Sequence, residues 1–169
     1  ITEVKDDVLI IRNKNKHYLK TSRSKAIIIK VPLADVNNVK LSGSGKIHAD
    51  SAIIVDDFKA SSAGSGKINL SVKATTVSAQ QSGSGKIILK GSATSIKARH
   101  AGSGSIRLQG IEAKNGEVSL AGSGSVYVRC SDSLNASVAG SGSVRYFGEP
   151  KEKLYTKVAG SGSVRLAIE

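Results

Sequence analysis

Three copies of the sequence Ser/Ala-Gly-Ser-Gly-Lys, at residues 42–46, 63–67 and 82–86, are the first candidates for chemistry. Glycine-rich loops that end in lysine can bind phosphate, but such a loop needs Gly, four residues and then Gly-Lys-Ser/Thr. It also needs a helix after it, whose N-terminus faces the phosphate. In this chain isoleucine follows each lysine, and alternating apolar residues follow the isoleucine. The pattern therefore indicates a structural corner rather than a nucleotide site.

The serines of the repeated Gly-Ser-Gly motif do not form a catalytic set. A serine nucleophile needs a base within hydrogen-bond reach, and no histidine or acid recurs beside these serines. The chain has only three histidines, His17, His48 and His100, which fall in different parts of the repeat. We therefore expect the serine hydroxyls to bond to the backbone of the corner. The serines are Ser44, Ser65, Ser84, Ser103, Ser123, Ser141 and Ser161.

Acidic residues are too sparse for a polysaccharide-active enzyme built on a β-helix, which is the enzymatic alternative. A calcium-dependent lyase of this kind needs clustered carboxylates as oxygen ligands for the metal. Here 13 acids are spread over 169 residues, and only Asp50, Asp56 and Asp57 crowd one repeat. The Cys/His spacing of a zinc site does not occur either. The sequence predicts a protein that is not an enzyme and that requires no metal or cofactor.

Cationic and aromatic residues recur in the last four repeats, at positions five and seven counted from the first glycine of each motif. They are Arg107, Tyr127, Arg129, Arg145, Phe147 and Arg165. Equivalent residues of stacked coils lie about 4.8 Å apart, so these six would form one strip on the outward face. Arginines that stack without acid partners repel one another, and an anion bound through bidentate contacts relieves that repulsion. The strip is the predicted ligand-binding site, and a solvated sheet face is the alternative.

The overall charge also favours an anionic partner. The chain has 25 Lys and Arg against 13 Asp and Glu, a net charge of +12, and excess cations attract nucleic acid, anionic lipid or acidic glycan. Position three adds a weaker cationic column, Lys46, Lys67 and Lys86, which serine replaces in the later repeats. Charge can equally protect a repetitive β protein from edge-to-edge association. Solubility is therefore the alternative explanation of the charge.

The elements that position these residues follow from the repeat. Gly-Ser-Gly occurs seven times at intervals of 18 to 21 residues, which is typical of a solenoid. Position four is always Ile or Val, position six is mostly apolar and position five is mostly polar. This period of two predicts a strand with one buried face, and small or apolar residues before each motif indicate a second strand. We predict an all-β protein, a right-handed parallel β-helix with coils of about 19 residues, two strands per coil and Gly-Ser-Gly at one corner.

Glycine suits this corner because a sharp turn of the chain needs positive φ angles, which cost other residues energy. At least one glycine of most copies should therefore have a positive φ. The column two residues before the motif stays undecided, since it is polar at Ser62, Gln81 and His100 but apolar elsewhere. The corner glycines are Gly43, Gly45, Gly64, Gly66, Gly83, Gly85, Gly102, Gly104, Gly122, Gly124, Gly140, Gly142, Gly160 and Gly162.

The repeats occupy residues 39–169, and residues 1–38 lack the motif. The first segment contains two apolar runs, Val8–Ile11 and Ala26–Val31, of which the second resembles a degenerate coil. Because a solenoid end exposes unpaired strand edges, we expect residues 1–38 to act as a cap within a single structural domain. No stretch reaches the roughly 18 consecutive apolar residues of a membrane span. The lone cysteine, Cys130, is expected to be a small buried hydrophobe.

The motifs resemble those of the head GIN domain family of "putative auto-transporter adhesins", found mainly in Bacteroidetes. The resemblance is carried by Val-Lys-Leu-Ser-Gly-Ser-Gly-Lys-Ile at residues 39–47, by the recurrent Ala/Ser-Gly-Ser-Gly-Ser/Lys-Ile/Val, and by Gly-Ser-Gly-Ser-Val-Arg-Tyr-Phe-Gly-Glu-Pro at residues 140–150. It extends from about Val8 over nearly the whole chain. It implies a secreted or surface-exposed β-helical protein, often made with a signal or lipoprotein peptide, and no catalytic residues. We expect the chain to depart from the family at its beginning, where the leading strands of the family are not recognised in the sequence.

Together these observations predict a non-catalytic, extracytoplasmic β-solenoid that serves adhesion or another interaction at the cell envelope. The first expected partner is an anionic glycan, and nucleic acid is not expected. Self-association through the solenoid edges is a further possibility. The alternatives are a purely structural envelope protein without a dedicated ligand and, after that, a polysaccharide-active enzyme.

Overall fold

A computed structural model describes residues 1–13, 27–32 and 36–168. The chain divides into two compact units, Ile1–Pro32 and Leu33–Glu169. The first histidine considered above, His17, lies outside the described residues, as does Ala26 at the start of the second apolar run. The prediction that residues 1–38 cap the solenoid stays a prediction.

The first unit contains a two-stranded antiparallel hairpin of β1 (Thr2–Lys5) and β2 (Val8–Ile11). Asp6 and Asp7 form its two-residue turn and have φ angles of 49° and 60°, a conformation that aspartate tolerates better than most residues. At the end of the hairpin opposite the turn, the N-terminal amine donates a hydrogen bond to the carbonyl of Arg12 over 2.8 Å. Ile27–Val31 is exposed and is not part of a strand.

The second unit is a β-solenoid in which every strand pair is parallel. Lys67 pairs with Lys86, and Lys86 pairs with Ser105, so a coil takes 19 residues there. The all-β solenoid predicted from the repeat is confirmed, while its right hand stays a prediction. The strands are β3 (Asn38–Ser42), β4 (Lys46–His48), β5 (Ile53–Ile54), β6 (Asp57–Ala63), β7 (Lys67–Gly83), β8 (Lys86–Gly102), β9 (Ser105–Gly122), β10 (Ser125–Gly140), β11 (Ser143–Phe147), β12 (Lys153–Ala159) and β13 (Ser163–Leu166).

The two predicted strands per coil join into one hydrogen-bonded strand in the central coils, because parallel pairing continues around the second corner. In β7 the buried residues have even numbers up to Val72 and odd numbers from Val77 onward. In β8 the buried residues change from odd to even numbers between Leu89 and Ile96. A change of parity turns the opposite side of the strand inward. Each long strand therefore has two straight halves that face the same core.

Positions four and six of the repeat build this core, as the alternating pattern predicted. Ile87 and Leu89 are both fully buried in the middle of the stack. The outer coils are less covered, since Ile47 and Val164 are only partly buried and Leu166 is exposed. A solenoid buries apolar residues only between neighbouring coils, so burial fades toward its ends.

The column two residues before each Gly-Ser-Gly motif, whose orientation the sequence left undecided, points inward at its polar positions. Ser62, Gln81 and His100, each in register with the next across β6, β7 and β8, are 3%, 2% and 2% exposed. His100 has Nδ1 at 3.2 Å from the Gln81 carbonyl oxygen and Nε2 at 2.9 Å from that of Gly104. Among the described residues, the hydroxyl of Ser62 and Oε1 of Gln81 are buried without a hydrogen-bond partner. The core thus contains a polar ladder of three side chains.

Two different physical reasons require glycine at these corners, a positive φ angle and the close approach of the preceding coil. The first glycine has a positive φ in all seven copies, from 99° at Gly43 to 120° at Gly102, which confirms the predicted reason for glycine. The second glycine has no such angle, but from the second copy onward the backbone of the preceding coil lies against it. A Cβ on Gly104 would come within 2.9 Å of the Ser84 carbonyl carbon. Coils that stack at backbone distance therefore exclude any side chain at this point.

Candidate ligand-binding strip

The six residues predicted to share one face lie on four neighbouring strands, and we call them the arginine strip. Arg107 is on β9, Tyr127 and Arg129 are on β10, Arg145 and Phe147 are on β11, and Arg165 is on β13. Parallel pairing places them in two rows that cross the strands. One row runs Arg107, Tyr127, Arg145 and Arg165, and the other runs Arg129 and Phe147.

Tyr127 lies between two guanidinium groups. The Cζ atom of Arg107 is 5.1 Å from the centroid of its ring, and Cζ of Arg145 is 5.6 Å from the same centroid. Nη1 of Arg145 also donates to the Tyr127 hydroxyl over 3.2 Å. A cation within about 6 Å of an aromatic centroid is attracted by the ring quadrupole. The ring therefore holds apart and stabilises two charges that would otherwise repel.

The second row repeats this arrangement. Arg129 has its Cζ 5.8 Å from the centroid of the Phe147 ring. Its Nε donates to the carbonyl of Gln109 over 3.2 Å, which fixes the side chain against the neighbouring coil. These contacts involve side chains that are half-buried rather than free in solvent. The repeat spacing predicts which residues share this face, but it does not predict the ring-over-guanidinium contacts because it does not encode rotamers.

Arg145 and Arg165 are the most open part of the arginine strip. They are paired directly across β11 and β13, and both are exposed. Neither forms a salt bridge among the described residues. Arg107 differs, since its Nε is buried and has no hydrogen-bond partner among the residues that the structure describes. Within the described ranges, the strip thus ends in two guanidinium groups without an acidic partner, on adjacent strands.

In another segment of the sheet, on β8 and β9, cationic side chains form ion pairs with an acid. Glu117 on β9 lies 3.8 Å from Nζ of Lys97 and 3.9 Å from an Nη of Arg99 on β8. These pairs are solvent-exposed and contribute little stability, but they neutralise charge locally. The arginine strip has aromatic rings in place of such an acid. The column Lys46, Lys67 and Lys86 is also in parallel register, and none of the described aromatic residues lies over it.

A shallow groove lies near the end of β6 to β9, with a volume of about 470 Å³. Small residues such as Ala63 and Ala101 form much of its lining, and Lys40, Gln80 and Arg99 add polar atoms. It is open to solvent, and its described lining includes no Phe, Tyr or Trp side chain. The groove follows from the small residues that precede each corner, and the sequence pattern alone does not predict it.

The described residues contain no cluster of three or more histidine, cysteine, aspartate or glutamate side chains that could hold a metal ion. His48 and Asp50 form an isolated exposed contact of 3.1 Å. Cys130 is buried, as expected, and desolvation raises the pKa of its thiol from 9.0 to about 12. A thiol of this kind is a poor nucleophile near neutral pH because its thiolate is disfavoured. Within the described part of the chain, no helix is long and apolar enough to cross a bilayer.

The fold is a parallel β-solenoid that carries the arginine strip on the outer face of its stacked coils. The chain belongs to the family described as "putative auto-transporter adhesin, head GIN domain", whose sequence profile matches residues 1–150. This confirms the resemblance found in the motifs. Family membership indicates a non-catalytic, adhesin-like role at the cell surface or elsewhere outside the cytoplasm. No curated protein sequence matches the chain.

Two solved structures have the same fold. The crystal structure of a "putative adhesin" from Bacteroides fragilis NCTC 9343 is 24% identical and superposes with a TM-score of 0.87, covering 99% of this chain and 76% of that one. The crystal structure of a "putative lipid binding protein" from Parabacteroides distasonis ATCC 8503 is 27% identical with a TM-score of 0.74. That match covers 78% of this chain and 53% of the other.

Proposed function

We propose that this protein is an envelope adhesin domain that binds an anionic glycan through the arginine strip. The observation that carries the proposal is the direct pairing of Arg145 and Arg165, exposed on adjacent strands and without an acid among the described residues. Guanidinium groups bind carboxylate and sulfate oxygens in bidentate fashion. Their strands are about 4.8 Å apart, so both guanidinium groups can contact the acidic groups of one sugar chain.

The aromatic contacts support this function by ordering the cations before any ligand arrives. A guanidinium that already lies on a ring loses less side-chain entropy on binding than a free one. The hydrogen bond from Arg145 to Tyr127 uses one of the five N–H donors of the guanidinium. The other donors stay available to a ligand. Polyanion binding at such an exposed site should be weak and should fade as salt shortens the Debye length to about 8 Å.

Heparin chromatography with two matched triple variants tests the proposal. The first variant changes Arg107, Arg145 and Arg165 to serine, and the control changes Lys46, Lys67 and Lys86 to serine, the residue that later repeats have at that position. Both lose three positive charges. We expect the arginine variant to elute at clearly lower salt than the control. Equal elution of the two variants would overturn the proposal and assign the binding to net charge alone.

Two further arms separate the chemistry of the ligand. Changing the same three arginines to lysine keeps the charge but removes bidentate geometry, so we expect an elution salt between those of the wild type and the serine variant. Vesicles of phosphatidylglycerol in phosphatidylcholine present phosphate in a bilayer instead of carboxylate and sulfate on a sugar chain. Binding to these vesicles together with no retention on heparin would overturn the glycan assignment.

A further inference from the structure

His100 is buried in the core with both of its ring nitrogens in contact with backbone carbonyl oxygens. The residue is 2% exposed. Its Nδ1 lies 3.2 Å from the carbonyl oxygen of Gln81 on β7, and its Nε2 lies 2.9 Å from that of Gly104, at the corner before β9. A carbonyl oxygen can only accept a hydrogen bond. Both ring nitrogens must therefore donate if both contacts are hydrogen bonds.

A neutral imidazole cannot donate twice. It has one N–H group, and its other nitrogen presents a lone pair. In either tautomer one of the two carbonyl oxygens would face that lone pair, over 2.9 or 3.2 Å, where water does not reach. A buried acceptor without a donor costs free energy. The imidazolium carries an N–H on each nitrogen and satisfies both oxygens.

The positions of the ring and of its second acceptor are fixed by the backbone. The carbonyl of Gly104 also accepts a hydrogen bond from the amide of Ser125 over 3.1 Å, so its direction is set by the stacking of the corners. The ring of His100 fills the space that a side chain on Gly124 would need, since a Cβ there would overlap Nε2. The contact between Nε2 and the Gly104 oxygen therefore belongs to the folded corner.

No acidic side chain shares the core with His100 in the described part of the chain. The other buried polar residues are Ser62 and Gln81, and neither is ionisable. The thiol of Cys130 is the other buried ionisable group, and it lies on β10, which does not pair with β8. The imidazolium would therefore be stabilised by hydrogen bonds to its charged form rather than by a counter-ion.

The charged side chains of β7, β8 and β9 lie on the outer surface of the solenoid. Lys67 and Lys73 of β7 are exposed, as are Lys97 and Arg99 of β8, which lie near Glu117 of β9. The corners at residues 101–105 and 121–125 contain no ionisable side chain. Within the described ranges, the groups that face His100 from the neighbouring elements are thus uncharged.

We propose that His100 is an imidazolium in the folded solenoid at neutral pH and forms a pH-sensitive link between β7 and the corner before β9. A histidine of an unfolded chain loses its proton near pH 6.5, to an order of about one pH unit. The folded chain then holds more protons than the unfolded chain above this pH, so the contribution of His100 to stability falls as the pH rises. Loss of the proton replaces one hydrogen bond by a contact between two acceptors. This link is independent of the glycan proposal.

Urea denaturation of the wild type and of His100→Leu tests the proposal through the sign of a pH dependence. Leucine occupies the same column at Leu41 and Leu120, so the variant keeps a side chain that the column accommodates. Subtracting the two free energies of unfolding at each pH removes the titration of His17, His48 and all other groups. We expect the difference to favour the wild type most at about pH 6 and to shift against it toward about pH 8, by up to about tenfold in the folding equilibrium constant per pH unit.

A neutral His100 gives the opposite sign. The wild type would then gain on the variant as the pH rises toward about 6.5, and the difference would be constant above that value. This result would overturn the proposal.

NMR of the ring nitrogens gives a second decision that does not require the leucine variant to fold. Changing His17 and His48 to glutamine leaves His100 as the only histidine of the chain. With ¹⁵N-labelled histidine at about pH 7, we expect two ring nitrogens that each carry a proton. One protonated nitrogen and one bare nitrogen would identify the neutral imidazole and overturn the proposal.

Discussion

Arg145 contacts Tyr127 twice, through a 3.2 Å hydrogen bond from Nη1 to the hydroxyl and through its position over the ring, 5.6 Å from Cζ to the centroid. Because these residues are paired across β10 and β11, the fold itself brings them together. The same ring faces Arg107 from the neighbouring strand. One aromatic side chain therefore organises two of the four arginines in the proposed binding strip.

Removing that ring should weaken polyanion binding without removing any charge. We expect Tyr127→Ala to lower the heparin elution salt, because each cation–π contact at an exposed site contributes about 0.5–1 kcal/mol to ordering the guanidinium groups. Tyr127→Phe keeps the ring and loses only the hydroxyl, so it should elute close to the wild type. If Tyr127→Ala and the wild type elute at the same salt while both remain folded by circular dichroism, the ring does not organise the strip.

The core prediction concerns Leu89. Its side chain is fully buried between coils, so Leu89→Ala should lower the free energy of unfolding by about 2–5 kcal/mol through loss of burial and formation of a cavity. Urea denaturation measures this value. Leu166→Ala is the matched control, because Leu166 occupies the same repeat position but is 52% exposed. A loss at position 166 as large as that at position 89 would contradict the difference in burial between the central and terminal coils.

Much of this architecture could be predicted from the sequence, because the residue types reveal the length of a coil, the buried side of each strand and the position of the corner. Leu89 belongs to an apolar column that alternates with polar residues at the period of a strand, and Gly83 belongs to a motif that recurs once per coil. The polar column was undecided because glutamine and histidine are unfavourable inside unless they find partners, and His100 finds carbonyl oxygens only in the folded corner. The exposure of Val158 could not be predicted either, because the repeat pattern does not show which residues cover its final copy.

Three glycine variants distinguish the two reasons for glycine at the corners. Gly43→Ala should cost about 1–2 kcal/mol from its φ of 99° alone, since a Cβ there meets nothing within 4 Å. Gly45→Ala should be nearly neutral, because its Cβ would only touch Leu41 at 3.4 Å. Gly104→Ala should cost about 3 kcal/mol or more, as its Cβ would overlap the backbone of the previous coil. Equal losses in thermal unfolding for Gly45→Ala and Gly104→Ala would refute the backbone-contact explanation.

The polar ladder predicts a stabilising substitution. Oε1 of Gln81 is buried without a partner among the described residues, and an unsatisfied buried acceptor costs about 1–3 kcal/mol. Leucine already occupies this column at Leu41 and Leu120, so Gln81→Leu should raise the free energy of unfolding by about 1 kcal/mol. The bond from His100 is preserved because it uses the backbone carbonyl of residue 81. A drop in stability in urea denaturation would mean that the amide oxygen is satisfied in solution.

The last prediction concerns Cys130 and alkaline pH. Burial raises the pKa of its thiol from 9.0 to about 12 in the folded protein, so the folded state holds this proton more tightly than the unfolded state does. The contribution of this thiol to the free energy of unfolding is therefore constant below pH 9.0. It falls as the pH rises from 9.0 toward about 12, by at most about 1.4 kcal/mol per pH unit.

Cys130→Val removes the ionisable group and keeps a small apolar side chain, since valine occupies the same repeat position at Val72. Subtracting its free energy of unfolding from that of the wild type at each pH isolates the thiol from lysine and tyrosine titration. We expect the difference to be flat from pH 7 to 9 and to move in favour of the valine variant above pH 9. A difference that stays flat up to pH 11 would show that the Cys130 thiol reaches solvent in the folded solenoid.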